Sequence, residues 1–235
     1  MRTSSSDEAL RELRALGDPA DARFLQRFFK TGPGEYGEGD VFLGIRVPQT
    51  RLLAKKYRDL PLTEIKTLLR AKEHEARLLA LIILTLQYPK ADAAHQQKIF
   101  DFYLANTKHI NNWDLVDTSA PNIVGAHLFG GDASLLHELA ESTLIWERRI
   151  AILATFYFIK NGQFEHSLRI ARKLLHDEHD LIHKAVGWML REVGKKDRAV
   201  LVAFLDKHHQ RMPRTMLRYA IEKFEPGVRS GYLAR

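Results

Sequence analysis

The sequence predicts an all-α chain built from repeated helix pairs, and three observations carry that prediction. Apolar residues return at three and four places through nearly every segment. That is the period of an amphipathic helix, and no segment alternates as a strand would. Proline and glycine punctuate the pattern at Asp18-Pro19, Leu60-Pro61, Tyr88-Pro89 and Gly130-Gly131-Asp132, since Pro suits a first helical turn and Gly tolerates unusual backbone angles. Finally, Arg77, Trp113 and Arg149 fall 36 residues apart, and Lys184 and Arg218 follow at intervals of 35 and 34. A period in the mid-thirties with two helices per unit predicts an α-solenoid in which each pair buries its apolar face on its neighbours.

The first twenty residues are polar and charged, without the apolar centre of a signal peptide. Residues 1–6 read as a flexible tail, and the remainder as one repeat domain within 1–235, because no linker divides it. Gly32, Gly34, Gly37 and Gly39 make Thr31 to Asp40 a loop. Its Glu35, Glu38 and Asp40 would repel a phosphate, so it reads as a connector. Leu60-Pro61-Leu62-Thr63 opens a helix, and Leu78 to Leu84 is the longest apolar run, far too short to span a bilayer. Trp146 precedes an apolar helix and reads as core. His176, Asp177, His179, Asp180 and His183 form a polar cluster in which His179 and His183 have metal-ligand spacing. They lie between the two helices of a repeat, where solvated residues belong, and no metal or cofactor is expected.

The 235 residues can bury a substantial core. Lys and Arg number 36 against 29 Asp and Glu, a formal charge of +7 and a sequence pI near 9.6. Such an excess suits an anionic partner, most economically nucleic acid, provided that the charges share a face. The absence of cysteine excludes a disulfide framework, a thiolate nucleophile and a Cys-ligated zinc site. A soluble, cytoplasmic monomer with no membrane attachment is the expectation.

Asn111-Asn112-Trp113-Asp114-Leu115-Val116-Asp117 sets an indole and a carboxylate four residues apart, one above the other on a helix. Packing accounts for such a pair, and so does chemistry, because a carboxylate beside an aromatic face can stabilise a developing cation. If the second helix of each pair lines a concave surface, Arg77, Trp113, Asp117, Arg149, Lys184, Trp188, Arg191, Arg214 and Arg218 fall along one basic track. The competing reading is that an arginine at a fixed repeat position supports the fold, which suits Arg77 beside Glu73 and Glu75. For Arg149 both readings stand, and Arg148 next to it serves a different face. Ser119 has no nearby His in sequence and reads as structural. No nucleophile elbow or Walker loop is present.

Five passages together resemble the DNA alkylation repair family of HEAT-like-repeat DNA glycosylases, the AlkD-like enzymes, from about Phe24 to Phe224. They are Phe29-Lys30-Thr31-Gly32 through Gly44-Ile45-Arg46-Val47-Pro48, Trp113 to Asp117, Trp146 to Arg149, Lys184 to Glu192, and Met212-Pro213-Arg214 through Glu222-Lys223-Phe224. The resemblance implies a monofunctional glycosylase that removes positively charged N3- or N7-alkylated purines from duplex DNA. It puts the catalytic Asp at Asp117, the sugar-contacting tryptophans at Trp113 and Trp188, the arginine beside the lesion strand at Arg149, and a basic residue near the backbone at Arg191. Arg148, Lys184, Arg214 and Arg218 join the expected DNA contacts. An aromatic near the lesion appears as Phe28 rather than Tyr, which removes any contribution from a hydroxyl. The resemblance also points to recognition without base flipping.

Ordinary glycoside cleavage uses two carboxyl groups, one of them to protonate the leaving atom. A purine already charged by alkylation leaves as a neutral base, so one ionised Asp suffices to stabilise the oxocarbenium-like sugar and orient water. Neutral lesions such as uracil or hypoxanthine should then be poor substrates. Two other readings stay open: a non-catalytic DNA-binding repeat protein that recognises damaged or bent duplex, and a protein-interaction array with incidental positive charge.

Overall fold

The structure is a computed structural model and describes residues 5–234. It is all-α, with a single isolated bridge between Val41 and Glu73 as the only β pairing among the described residues. Contacts divide the chain into two compact units, Met1–Ser119 and Ala120–Arg235, and each is taken by itself. No helix among the described residues is long and apolar enough to cross a membrane.

The first unit contains α1 (Ser6–Ala15), α2 (Pro19–Gln26), α3 (Val47–Lys56), α4 (Leu62–Leu69), α5 (His74–Gln87), α6 (Ala93–Leu104) and most of α7 (Trp113–Ala120). Of the expected tail, residues 1–4 lie outside the described residues, while Ser5 and Ser6 correct the rest. Ser5 caps α1 by accepting the Glu8 N–H, and Ser6 is buried with its hydroxyl 2.6 Å from Glu64. Asp18 caps α2 through the Ala20 and Asp21 N–H groups, with Pro19 in the first turn where no N–H is required. The centre of the unit is α5, buried continuously from His74 to Leu84. The apolar run that is too short for a membrane is thus the helix on which α3 and α4 pack. Gly44 has φ +83, and a Cβ there would fall 2.1 Å from the Asp18 carbonyl oxygen. Only glycine lets this loop turn against the start of α2.

The second unit opens with a π-helical turn at Pro121–Gly125, then α8 (Ala126–Leu128), α9 (Ser134–Leu139), α10 (Ile145–Lys160), α11 (Glu165–Lys173), α12 (Asp180–Lys196), α13 (Arg198–His208), α14 (Arg214–Ala220) and α15 (Pro226–Leu233). Within it α12 packs on both α10 and α14, while α9 and α11 pack on α10 and α13 packs on α12. Helices α12 and α14 approach closely at Gly187, where a Cβ would sit 2.4 Å from the Met216 carbonyl oxygen and 2.5 Å from Tyr219 Cβ. Trp146 is core, 4% exposed.

Candidate functional site

The helix pairs give the repeat its register. The second helices α5, α7, α10, α12 and α14 begin at residues 74, 113, 145, 180 and 214. Counted from those starts, Arg149, Lys184 and Arg218 are each the fifth residue of their helix, and the fifth residue of α7 is Asp117 rather than Trp113. The even 36-residue spacing through Arg77 and Trp113 therefore crosses the register. Arg77 is a fourth residue, and its counterpart in α10 is Arg148. Side-chain geometry supports that match independently of helix boundaries, which shift by a residue or two between definitions. Arg77 Nη1 donates to the carbonyls of Ala71 and Lys72 at 3.1 Å. Arg148 Nη1 donates to those of Ser142 and Thr143 at 2.9 and 3.0 Å. In both cases the acceptors lie six and five residues upstream.

These two arginines serve the fold. Arg77 also reaches Asp40 at 2.5 Å, and Arg148 reaches Asp177, itself 5% exposed, at 2.6 Å. Arg148, expected at the DNA, is thus occupied inside its own unit. The Arg77 partner is Asp40 rather than the neighbouring glutamates: Glu73 pairs with Arg14, and the buried Glu75 carboxylate accepts from the successive N–H groups of Leu43, Gly44 and Ile45.

At the start of α7, Asn112 accepts the Trp113 N–H at 2.8 Å and donates its amide to Asp40 at 3.0 Å. The Trp113 indole is half-buried and lies nearly parallel to Phe29, centroids 5.2 Å apart with 16° between planes. Asp117, also half-buried, sits one turn further along α7. Beneath them is a network not anticipated from sequence. His74 is held between two carboxylates, 3.2 Å from Asp40 and 2.8 Å from Asp114, with the Phe29 and Phe42 rings each 4.8 Å from the imidazole. Burial disfavours charge on His74, but Asp114 and Asp40 overcome it and raise its pKa to about 9. At neutral pH it is imidazolium, donating one N–H to each carboxylate. Burial likewise works to raise Asp40, yet the hydrogen bond from His74, the Arg77 charge and the Asn112 amide hold its carboxyl below the ordinary value. Two anions and two cations close the network without excess charge.

The loop at Thr31 to Asp40 is more than a connector. Its acidic side chains ligate its own backbone, Glu35 at the Gly32 N–H and Glu38 at the Gly34 N–H, and Asp40 ties its end into the His74 network. Ser119 takes part in a buried chain, accepting from Tyr103 at 2.9 Å and donating to the Leu115 carbonyl at 2.6 Å. Burial and then the nearby Asp117 charge keep the Tyr103 hydroxyl protonated.

In the second unit Trp188 is half-buried, its ring 5.9 Å from Phe156 and its indole N–H 3.1 Å from Glu192. Arg149 is 4% exposed, with Nη1 donating to the Leu181 carbonyl at 2.6 Å. Lys184 pairs with Asp180 at 2.7 Å on the exposed face of α12. Arg191 is bound to Glu222, and Arg214 donates to the Leu233 carbonyl at 2.7 Å. Arg218 is exposed and has no ion-pair partner among the described residues. Phe28, in the first unit, is 59% exposed and edge-on to Phe24 at 5.6 Å.

The histidine cluster after α11 is used for capping. Asp177 accepts the His179 N–H, His179 Nδ1 accepts the Leu181 N–H, and His183 Nε2 meets the Asp177 carbonyl. Burial and then Arg148 keep the His179 pKa below its ordinary value, with Asp177 opposing them. Among the described residues no group of three His, Asp or Glu side chains is arranged to hold a metal ion.

A family profile described as DNA alkylation repair enzyme matches residues 9–224. A solved structure described as a predicted DNA alkylation repair enzyme from Enterococcus faecalis aligns with a TM-score of 0.67 at 17% identity, over 89% of this chain and 97% of that one. At that identity the likeness is one of fold. No curated protein gives a significant match.

Proposed function

Because the chain belongs to the DNA alkylation repair enzyme family, its role lies in alkylation repair, and we propose that it is a monofunctional DNA glycosylase acting on positively charged N3- or N7-alkylated purines in duplex DNA. The observation that carries this reading is the fixed indole of Trp113, stacked on Phe29 one helical turn before the Asp117 carboxylate. An aromatic face and an anion set together are equipment for a sugar that becomes cationic.

In the proposed reaction the glycosidic C1′–N bond breaks, and its electron pair goes to the purine, which departs neutral. The oxocarbenium-like deoxyribose is stabilised by the Asp117 charge and by Trp113 and Trp188. Water then forms the new C1′–O bond and passes a proton to Asp117, which returns it to solvent. The product is an abasic site. Arg149 and Arg191 are assigned to the lesion strand, Lys184, Arg214 and Arg218 to neighbouring phosphates, and Phe28 to the lesion's surroundings. Arg218, exposed and unpaired with any carboxylate among the described residues, is the best placed of the basic groups for a phosphate.

The test is release of free base from a duplex containing N7-methylguanine, with protein in excess over DNA. Wild type should liberate the base, and Asp117→Asn should slow it by about 100-fold or more. No release by wild type, or equal release by both proteins, refutes the proposal. Duplex binding without release would assign the chain to the non-catalytic reading.

A further inference from the structure

We propose that the face formed by α9, α11 and α13 is a second polyanion-binding site, whose occupant is the phosphodiester backbone of a further segment of duplex nucleic acid. The proposal goes beyond the glycosylase reading and does not depend on it. None of its residues belongs to the second helices that carry Asp117, Arg149, Lys184, Trp188 and Arg218.

An open groove of about 670 Å³ runs between α11 and α13, with Arg169, Arg172, Lys207 and His208 over a floor that includes Leu168 and Phe204. A second hollow of about 470 Å³ is lined by His137, Arg169, Arg172 and Lys173. The two share Arg169 and Arg172, so one basic strip extends from α9 to α13. Little neutralises it. Glu165 is 3.5 Å from Arg169 with both side chains more than half exposed, and Glu141 pairs with Lys173. Arg172 and Lys207 have no carboxylate partner among the described residues.

The histidines register the surplus. His137 Nε2 lies 3.2 Å from His166 Nδ1, and Arg211 donates to His208 Nδ1 at 3.0 Å. For His137, burial and then the charges of Arg169, His166 and Lys173 push the pKa down, with Glu165 opposing them. For His208, burial and then Arg211, Arg172 and Lys207 do the same. A bound anion would relieve this repulsion.

Phosphodiester is the anion that fits. Paired arginines present planar forks matched to phosphate oxygens. Both hollows are open to solvent rather than enclosed, whereas specific docking of an acidic peptide calls for pockets that hold alternate side chains. An open, charged channel suits a backbone read by charge alone.

The experiment uses the full chain, a short undamaged duplex and the triple variant Arg169→Gln/Arg172→Gln/Lys207→Gln, whose positions are solvent-exposed. At low salt, sedimentation of the wild type should give one more duplex per chain than the variant. Saturating duplex should raise the pKa of His137 and His208, followed by histidine NMR, in the wild type and not in the variant. The salt dependence of wild-type binding should be steeper, by about 0.9 in slope for each phosphate contact that the variant loses. Single Arg172→Gln should show the same changes in smaller degree, which separates a lost site from a misfolded chain. Equal numbers of duplexes on the wild type and the triple variant, or unmoved histidines, overturn the proposal. Displacement of the second duplex by polyglutamate as readily as by competing duplex also overturns it, and assigns the face to an acidic protein.

Discussion

Nε2 of His74 lies 2.8 Å from the Asp114 carboxylate, so a buried cation on α5 holds the residue next to Trp113 and, through it, the first turn of the helix that carries Asp117. The same imidazole contacts Asp40 and both Phe29 and Phe42. The orientation of the candidate site is thereby set from below, by groups that touch no substrate.

Replacing His74 with Ala removes the cation shared by Asp40 and Asp114, leaving Asp40 with Arg77 and the Asn112 amide. Removing one partner from a buried charge network typically costs about 3–5 kcal/mol. The urea midpoint of His74→Ala should fall accordingly, whereas an exposed control such as Lys66→Ala should move by no more than about 0.5 kcal/mol.

The network makes stability depend on alkaline pH. The His74 pKa rises on folding from 6.5 to about 9, so its contribution is complete below 6.5 and is lost as pH rises through 9. The folded state holds the extra proton in that window, and unfolding free energy must decline across it, by on the order of 3 kcal/mol for a shift of this size. Denaturation midpoints between pH 6 and 10 test this. A profile for His74→Gln with the same slope would show that another group titrates.

Phe29→Leu keeps an apolar side chain but removes the ring stacked on Trp113. An aromatic pair contributes about 1 kcal/mol beyond its buried area, and a comparable loss of transition-state alignment is about 5–10-fold in rate. Single-turnover base release should slow by that factor while duplex affinity stays within a few-fold.

Arg148 and Arg218 should separate cleanly. Arg148→Met strands the nearly buried Asp177 and two carbonyls, so stability should drop by about 3 kcal/mol with the salt slope of DNA binding unchanged. Arg218→Met should leave stability alone and lower that slope by about 1. The reverse pattern would mean that the two side chains have exchanged roles.

Gly187→Ala tests the α12–α14 contact by sign. Helix propensity alone favours Ala by about 1 kcal/mol. The added Cβ would instead meet the Met216 carbonyl at 2.4 Å, and overpacking of that severity costs about 1–3 kcal/mol or more. A more stable variant would show that the helices are free to separate there.

The all-α class was legible because period and turn residues agree along the chain. The repeat was legible as a period but not as a register, since like residues 36 apart do not reveal where each helix starts. Arg77 and Arg149 align by residue type, whereas Arg77 and Arg148 align by the carbonyls they capture. Trp113 and Asp117 could be singled out because i,i+4 spacing is a local property. His74, Asp40 and Asp114 could not, because their association depends on contacts across 34 and 40 residues of sequence, and nothing local marks an imidazole destined to lie between carboxylates. The partner of Arg148 was hidden for the complementary reason: a surface-type residue in sequence fastens the fold because Asp177 comes to it from 29 residues away.

The back-reaching arginines also constrain how chains of this design can vary in length. Arg77 and Arg148 each bind carbonyls five and six residues upstream, which fixes the elbow between α4 and α5 and that between α9 and α10 to one length. A residue inserted into either elbow would pull the carbonyls out of reach and release the arginine from both. The glycine turn at Gly130-Gly131-Asp132 has no such fastening, and a Cβ at Gly130 would meet no atom within 4 Å. Insertions that relatives accumulate should therefore gather in turns of that kind, and an engineered tag or loop placed there should leave both elbows intact.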